Sequence, residues 1–165
     1  MKIHRYERLW LLASLVLVVL FIATITYGAV GLDIQMVDDR EDPIAPEDIP
    51  EDERFGDPRV EQVGEDEYEV YVVALQFFFD PGTAEPIEVP ANTQVTFYVT
   101  STDVIHSFTV VGTNINTMVV PGEVAALTVK FDEPGEYGIL CNEYCGIGHH
   151  DMEAELIVVE GDASE

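Results

Sequence analysis

The feature that most constrains this chain is Leu9 to Leu32 (LWLLASLVLVVLFIATITYGAVGL), 24 successive residues without a charge. At ~1.5 Å per residue a helix of that length spans ~36 Å, enough to cross a ~30 Å hydrocarbon core with some tilt. Backbone groups in hydrocarbon must be paired within their own segment, so the run is expected to form one transmembrane helix. Trp10 and Tyr27 lie near its two ends, where amphipathic rings settle at headgroup level. Lys2, Arg5 and Arg8 precede it, which predicts a cytoplasmic amino terminus and an external remainder in a single-pass cell-membrane protein. A cleaved secretory signal is the rival reading. Its apolar region is usually ~7–15 residues and ends at a small-residue cleavage site, whereas this run is longer and no clear A-x-A site follows.

The charge distribution narrows what the remainder can bind. The 165 residues carry 32 acidic and 7 basic side chains, a net charge of -25, yet 47% of the chain is hydrophobic. That apolar share excludes disorder throughout, and the scarcity of Lys and Arg excludes a nucleic-acid partner, because phosphate contacts need clustered cations. Beyond the apolar run there is room for one core.

Residues 33–67 form an acidic stretch with four prolines and few large apolar residues, a composition expected to act as a spacer, stiffened by proline and extended by self-repulsion. Part of it could dock on a partner subunit. From Tyr68 to Glu160 short β-rich runs (YEVYVVALQFFF, IEV, QVTFYVTS, VIHSFTVV, INTMVV, EVAALTVKF, EYGIL, AELIVVE) alternate with turn signals such as DPG, PANT, GTN and PGE. Turns at about ten-residue intervals and no helical period predict an antiparallel β-sandwich or barrel over residues 68–160, with 161–165 as a tail.

Chemistry concentrates in Cys141-Asn-Glu143-Tyr-Cys145-Gly-Ile-Gly-His149-His150-Asp-Met152, between two strand-like runs. Gly146 and Gly148 disfavour a helix there, so a loop is expected, able to wrap its side chains around one centre. Thiolate and thioether are soft donors and imidazole suits copper, zinc and iron, so the set Cys, Cys, His, Met selects copper. Zinc would leave Met152 unexplained. His106, in the run Val104, His106, Phe108, Val110 that alternation places on one buried face, is a further imidazole; alone it would read as a core histidine, and the loop makes it a candidate ligand. His150 is expected to face solvent, and Met36 and Met118 to be spacer or packing residues.

The pattern C-x-E-x-C-G-x-x-H-x-x-M and the upstream Asp103-Val-Ile-His-Ser-Phe resemble the copper A domain of cytochrome c oxidase subunit II. The amino-terminal helix, Pro86-Ile-Glu-Val-Pro90, Gly112-Thr-Asn-Ile-Asn116 and Pro121-Gly-Glu-Val124 look most like the ba3-type oxidases. The resemblance implies a cupredoxin-like Greek-key sandwich and two copper ions bridged by Cys141 and Cys145. His106 and Met152 would complete one ion, and His149 with the backbone carbonyl of Glu143 the other. It implies an electron-uptake subunit of a haem-copper terminal oxidase, passing electrons from a soluble donor, a cytochrome c or a small blue-copper protein, to haem in subunit I. Oxygen chemistry would belong to subunit I, so the enzyme is the complex. Phe77 takes the place of the tryptophan at which electrons enter common relatives, which makes it an entry candidate, with an aromatic on a core-facing strand as the other reading; the Glu143 side chain corresponds to a magnesium ligand at the boundary with subunit I. The alternative is a membrane-tethered mononuclear blue-copper carrier, for which His106, Cys145, His149 and Met152 suffice and Cys141 is superfluous.

The acidity exceeds what the resemblance requires. One account makes it a dock for a basic donor; the other makes it adaptation to a salty exterior, where surface carboxylates maintain solubility and long-range steering is screened.

Overall fold

Helix α1 covers Arg5–Gly31, 27 residues whose apolar side chains from Leu9 to Val30 are exposed around its whole circumference. A helix apolar on every side has no water-facing surface of its own, and this one is long enough to cross a bilayer. Thr24 satisfies its hydroxyl internally, donating to the carbonyl of Leu20 at 2.9 Å. Trp10 and Tyr27 are separated by ~26 Å of helical rise, close to the thickness of a hydrocarbon core. The computed structural model describes residues 4–31 and 42–161; residues 33–41 of the acidic stretch and 162–165 of the tail lie outside them. The chain divides into two units, Met1–Met36 and Val37–Glu165.

Among the described residues, ten strands build the second unit: β1 (Arg59–Gln62), β2 (Glu67–Leu75), β3 (Phe78–Asp80), β4 (Ile87–Pro90), β5 (Gln94–Ser101), β6 (His106–Val110), β7 (Asn116–Val119), β8 (Ala125–Lys130), β9 (Gly135–Leu140) and β10 (Glu153–Val159). One sheet has the order β1-β2-β5-β8 with β3 on β2, and the other β4-β10-β9-β6-β7. Alternation explains the layering: Val95, Phe97 and Val99 of β5 point inward, opposite Phe108 and Val110 of β6 and Leu156 and Val158 of β10. Phe108 sits at the centre, its ring centroid 5.4 Å from Phe97 and 5.8 Å from Phe79. Burying a side chain of this kind stabilises by roughly 1.5–3 kcal/mol.

The structure departs from the sequence expectations at three places. The sandwich is mixed rather than wholly antiparallel, because β2 runs parallel to β5 and β4 parallel to β10; the chain between β2 and β5 includes β3 and β4, and it makes the longer crossover that parallel pairing requires. The described part of the acidic stretch is not a free spacer. Ile44, Ile49 and Phe55 are buried against Tyr71, Val73 and Val124, and β1 pairs with β2, so the domain reaches well before Tyr68. A few apolar residues suffice because Tyr71 and Val73, on the outward face of β2, supply apolar surface for them to cover. Finally, Val104 does not share the inward face of His106. It is 36% exposed, since β6 begins only at His106 and the preceding residues form a loop.

Candidate metal centre

Three segments supply the centre. His106, the first residue of β6, points inward with Phe108 and Val110 and is fully buried. Its Nε2 lies 2.8 Å from Asp103 Oδ1, which fixes the ring and leaves Nδ1 facing Cys141 Sγ at 3.8 Å. A carboxylate partner on one ring nitrogen sets the tautomer that presents the other nitrogen's lone pair. Asp103 also accepts the backbone N–H of Gln76 at 2.7 Å and of Val104 at 2.6 Å. Burial works to raise the Asp103 carboxyl, but the His106 ring and those two N–H donors outweigh it and hold its pKa below the ordinary carboxylate value.

The second segment joins β9 to β10. The N–H of Cys141 donates to the carbonyl of Met152 at 3.4 Å, closing the base of the loop, and a short 3₁₀ turn at His149–Asp151 returns the chain to β10. Cys141, Cys145 and Met152 are buried, His149 is half-buried, and Glu143 is exposed. The third segment is the two-residue turn Gln76–Phe77 between β2 and β3, and it explains both loop glycines. Gly146 has φ +140°, and a Cβ there would lie 3.1 Å from the Phe77 ring; a Cβ on Gly148 would approach that ring to 2.6 Å. The loop lies directly on Phe77.

The donor atoms converge. Cys141 Sγ lies 3.9 Å from Cys145 Sγ, nearly twice the ~2.05 Å of a disulfide, and both thiols are free. Cys145 Sγ has His149 Nδ1 and Met152 Sδ each at 3.6 Å, while the Glu143 carbonyl lies 3.2 Å from Cys141 Sγ. The ligand atoms of His106, Cys141 and Cys145 lie within 4.8 Å of one another. A soft metal–thiolate bond is ~2.3 Å, so at this separation both sulfurs are within reach of a common metal ion. Burial, with the neighbouring Cys141, pushes the Cys145 thiol up to about 11. A metal held here would displace the proton of the Cys145 thiol, which burial otherwise keeps neutral. Two thiols, two imidazoles and a thioether make a soft set that suits copper, and a hard oxygen-seeking cation would find one backbone carbonyl.

All six expected donors therefore meet at one place: His106, Cys141, the carbonyl of Glu143, Cys145, His149 and Met152. His150 points away, exposed, beside Asp151 at 3.2 Å. Met118 is 53% exposed on β7, outside the centre; Met36 lies outside the described residues. Sequence reasoning overlooked Asp103 and Gln76. The signal for Asp103 was present, an acid three residues before a candidate ligand; Gln76 had none, because its partners are 27 and 69 positions away.

Comparison with known proteins identifies the family. The family described as cytochrome C oxidase subunit II, periplasmic domain, matches residues 70–161. A cytochrome c oxidase subunit 2 of Thermus thermophilus is 40% identical over 158 residues, 94% of this chain and 92% of that one. A second Thermus thermophilus subunit 2 is 44% identical over 119 residues, 71% of this chain and 86% of the relative. Among solved structures, a heme-copper terminal oxidase dimer determined by cryo-EM contains a chain that superposes with a TM-score of 0.71 at 33% identity, covering 93% of this chain and 99% of that one. The periplasmic domain of oxidase subunit II from Bradyrhizobium japonicum, at 23% identity and a TM-score of 0.53, shares the cupredoxin-like fold. With a family match over most of the folded domain and a Thermus relative aligned along almost its whole length, the chain belongs to the cytochrome c oxidase subunit II family, on its ba3-type side.

Proposed function

We propose that this chain is the electron-uptake subunit of a haem-copper terminal oxidase, holding a dinuclear copper A centre that receives single electrons from a water-soluble donor for delivery to haem in subunit I. The observation that carries this reading is the pair of buried thiols 3.9 Å apart, each with an imidazole nitrogen within 3.8 Å. Cys141 and Cys145 would bridge the two ions. His106 and Met152 would complete one, His149 and the Glu143 carbonyl the other. When bound, copper supplies a one-electron redox couple, and every other requirement falls on the protein.

The protein meets those requirements with stiffness and exclusion of water. His106 is locked by Asp103, Cys141 and Met152 are tied to adjacent strands, and the buried sulfurs keep solvent from the donor atoms. A scaffold of two packed sheets moves little when charge changes within it. Tyr144 and Ile147, 79% and 90% exposed on the same loop, offer the donor an apolar landing next to the centre, and Phe77 beneath Gly146 and Gly148 is the aromatic through which electrons would enter. The exposed Glu143 carboxylate would serve a magnesium ion at the boundary with subunit I. Helix α1 anchors the chain, with Lys2, Arg5 and Arg8 on the cytoplasmic side and the copper domain outside.

An oxidase complex carrying Cys145→Ser tests this. It is expected to lose oxidation of the soluble donor while retaining oxygen consumption when a small-molecule reductant feeds subunit I directly. Donor oxidation at the wild-type rate would contradict the reading. Protease treatment of intact cells is expected to remove the domain; its protection would reverse the orientation.

A further inference from the structure

A glutamine in an exposed two-residue hairpin turn ordinarily bonds water and constrains nothing. Gln76 is different because both of its hydrogen bonds leave its own hairpin. Its backbone N–H donates to Asp103 Oδ2 at 2.7 Å, and its side-chain amide donates to the carbonyl of Cys145. Asp103 is the residue that orients His106, and Cys145 is half of the thiol pair. One turn thus reaches both segments that carry donor atoms.

The loop needs such a fastening in its middle. Its ends are secured by Cys141 to Met152, and by Asn142, whose backbone N–H donates to Ser107 Oγ and whose side chain donates to Thr109 Oγ1 at 3.0 Å. Residues 143–148 contain two glycines, whose backbone freedom works against a fixed geometry. Among the described residues, Gln76 is the only side chain from outside the loop that hydrogen-bonds the backbone of residues 143–148. The contact is specific in shape as well, since a Cβ on Gly146 would lie 2.7 Å from the Gln76 amide nitrogen. The absent Cβ lets the amide in.

We propose that Gln76 is a positioning residue of the metal centre, coupling the orientation of His106 to the position of Cys145 so that the donor atoms stand in register before metal arrives. This rests on the copper reading given above. A carboxylate at position 76 would face the Cys145 carbonyl with no proton to donate and would stand beside Asp103, so the amide matters and not merely its bulk.

The test uses the full chain in detergent, loaded with copper, as wild type, Gln76→Ala, Gln76→Glu and Gln62→Ala. Gln62, on β1, donates to the carbonyl of Glu65 at 3.2 Å and serves as a glutamine of comparable bonding far from the thiols in the sequence. Outer-shell partners typically contribute 10–100-fold to metal affinity, so both Gln76 variants are expected to release copper to a chelator roughly tenfold faster than wild type. Their paramagnetic resonance spectra are expected to show the unpaired electron shared less equally, while the metal-free chains melt as wild type does. Gln62→Ala is expected to match wild type in copper release and spectrum. Gln76 variants with wild-type release and spectrum would overturn the proposal, as would copper loss that merely follows a lowered metal-free melting temperature. A wild-type chain that takes up no copper would overturn the copper reading itself, and the two failures are distinguished by that lane.

Discussion

Asp103 Oδ1 lies 2.8 Å from Nε2 of His106, and the opposite nitrogen of the same ring faces Cys141 Sγ at 3.8 Å. The carboxylate therefore chooses which nitrogen is free for a metal. Asp103→Ala is expected to lower copper affinity by about 10–100-fold, read by competition with a chelator. Asp103→Asn, which keeps an acceptor but not the charge, should fall between. Wild-type affinity in Asp103→Ala would show that His106 is held by packing alone.

Phe55 is 1% exposed, its ring edge-on to Tyr71 at 5.9 Å between centroids, although it belongs to a stretch whose composition suggests a spacer. Phe55→Ala is expected to cost about 3–5 kcal/mol, measured by urea unfolding of the copper-free chain. A change below about 1 kcal/mol would return residues 42–57 to the status of a loosely attached strap.

What could be read in advance, and what could not, follows from the range of each signal. The strands of the core announce themselves by alternation, as in Val95, Phe97 and Val99, and the Cys141–Met152 loop by donor spacing, because both are local patterns. The burial of Ile44, Ile49 and Phe55 was not legible, since three apolar residues spread among carboxylates have no period and their partner surface lies on another strand. The parallel pairing of β2 with β5 was hidden for the same reason, and so was Gln76. These contacts exist only once distant segments meet.

Asp52 offers a pH test of the same strap. Burial works to raise its carboxyl, but the N–H groups of Arg54 at 2.8 Å and Phe55 at 3.2 Å, with the Arg54 guanidinium, outweigh that and lower its pKa. A carboxyl whose folded pKa lies below the unfolded value of about 3.9 stabilises the fold above that pH and loses the contribution as pH falls through the lower folded value. Wild type is therefore expected to exceed Asp52→Asn in urea midpoint near neutrality, with the gap closing as pH drops below about 4. A gap constant with pH would assign the effect to packing.

The charge invites a salt titration. With Glu7 set aside, 31 acidic residues follow the amino terminus against Arg40, Arg54, Arg59 and Lys130, and they are spread over the strap and domain alike. Self-repulsion of this kind destabilises a compact state and is screened at about 1 M salt, where the Debye length is about 3 Å. If the acidity is adaptation to a salty exterior, the melting temperature of the copper-free chain should rise steadily with potassium chloride. Indifference to salt would leave docking of a basic donor as the better account.

If Cys141 and Cys145 share two metal ions, copper counting with electron paramagnetic resonance on the full chain in detergent should find two coppers per chain, hyperfine splitting from one electron shared between two nuclei, and loss of that pattern in Cys141→Ser. One copper with splitting from a single nucleus, unchanged by Cys141→Ser, would contradict that sharing and make the protein a tethered blue-copper carrier.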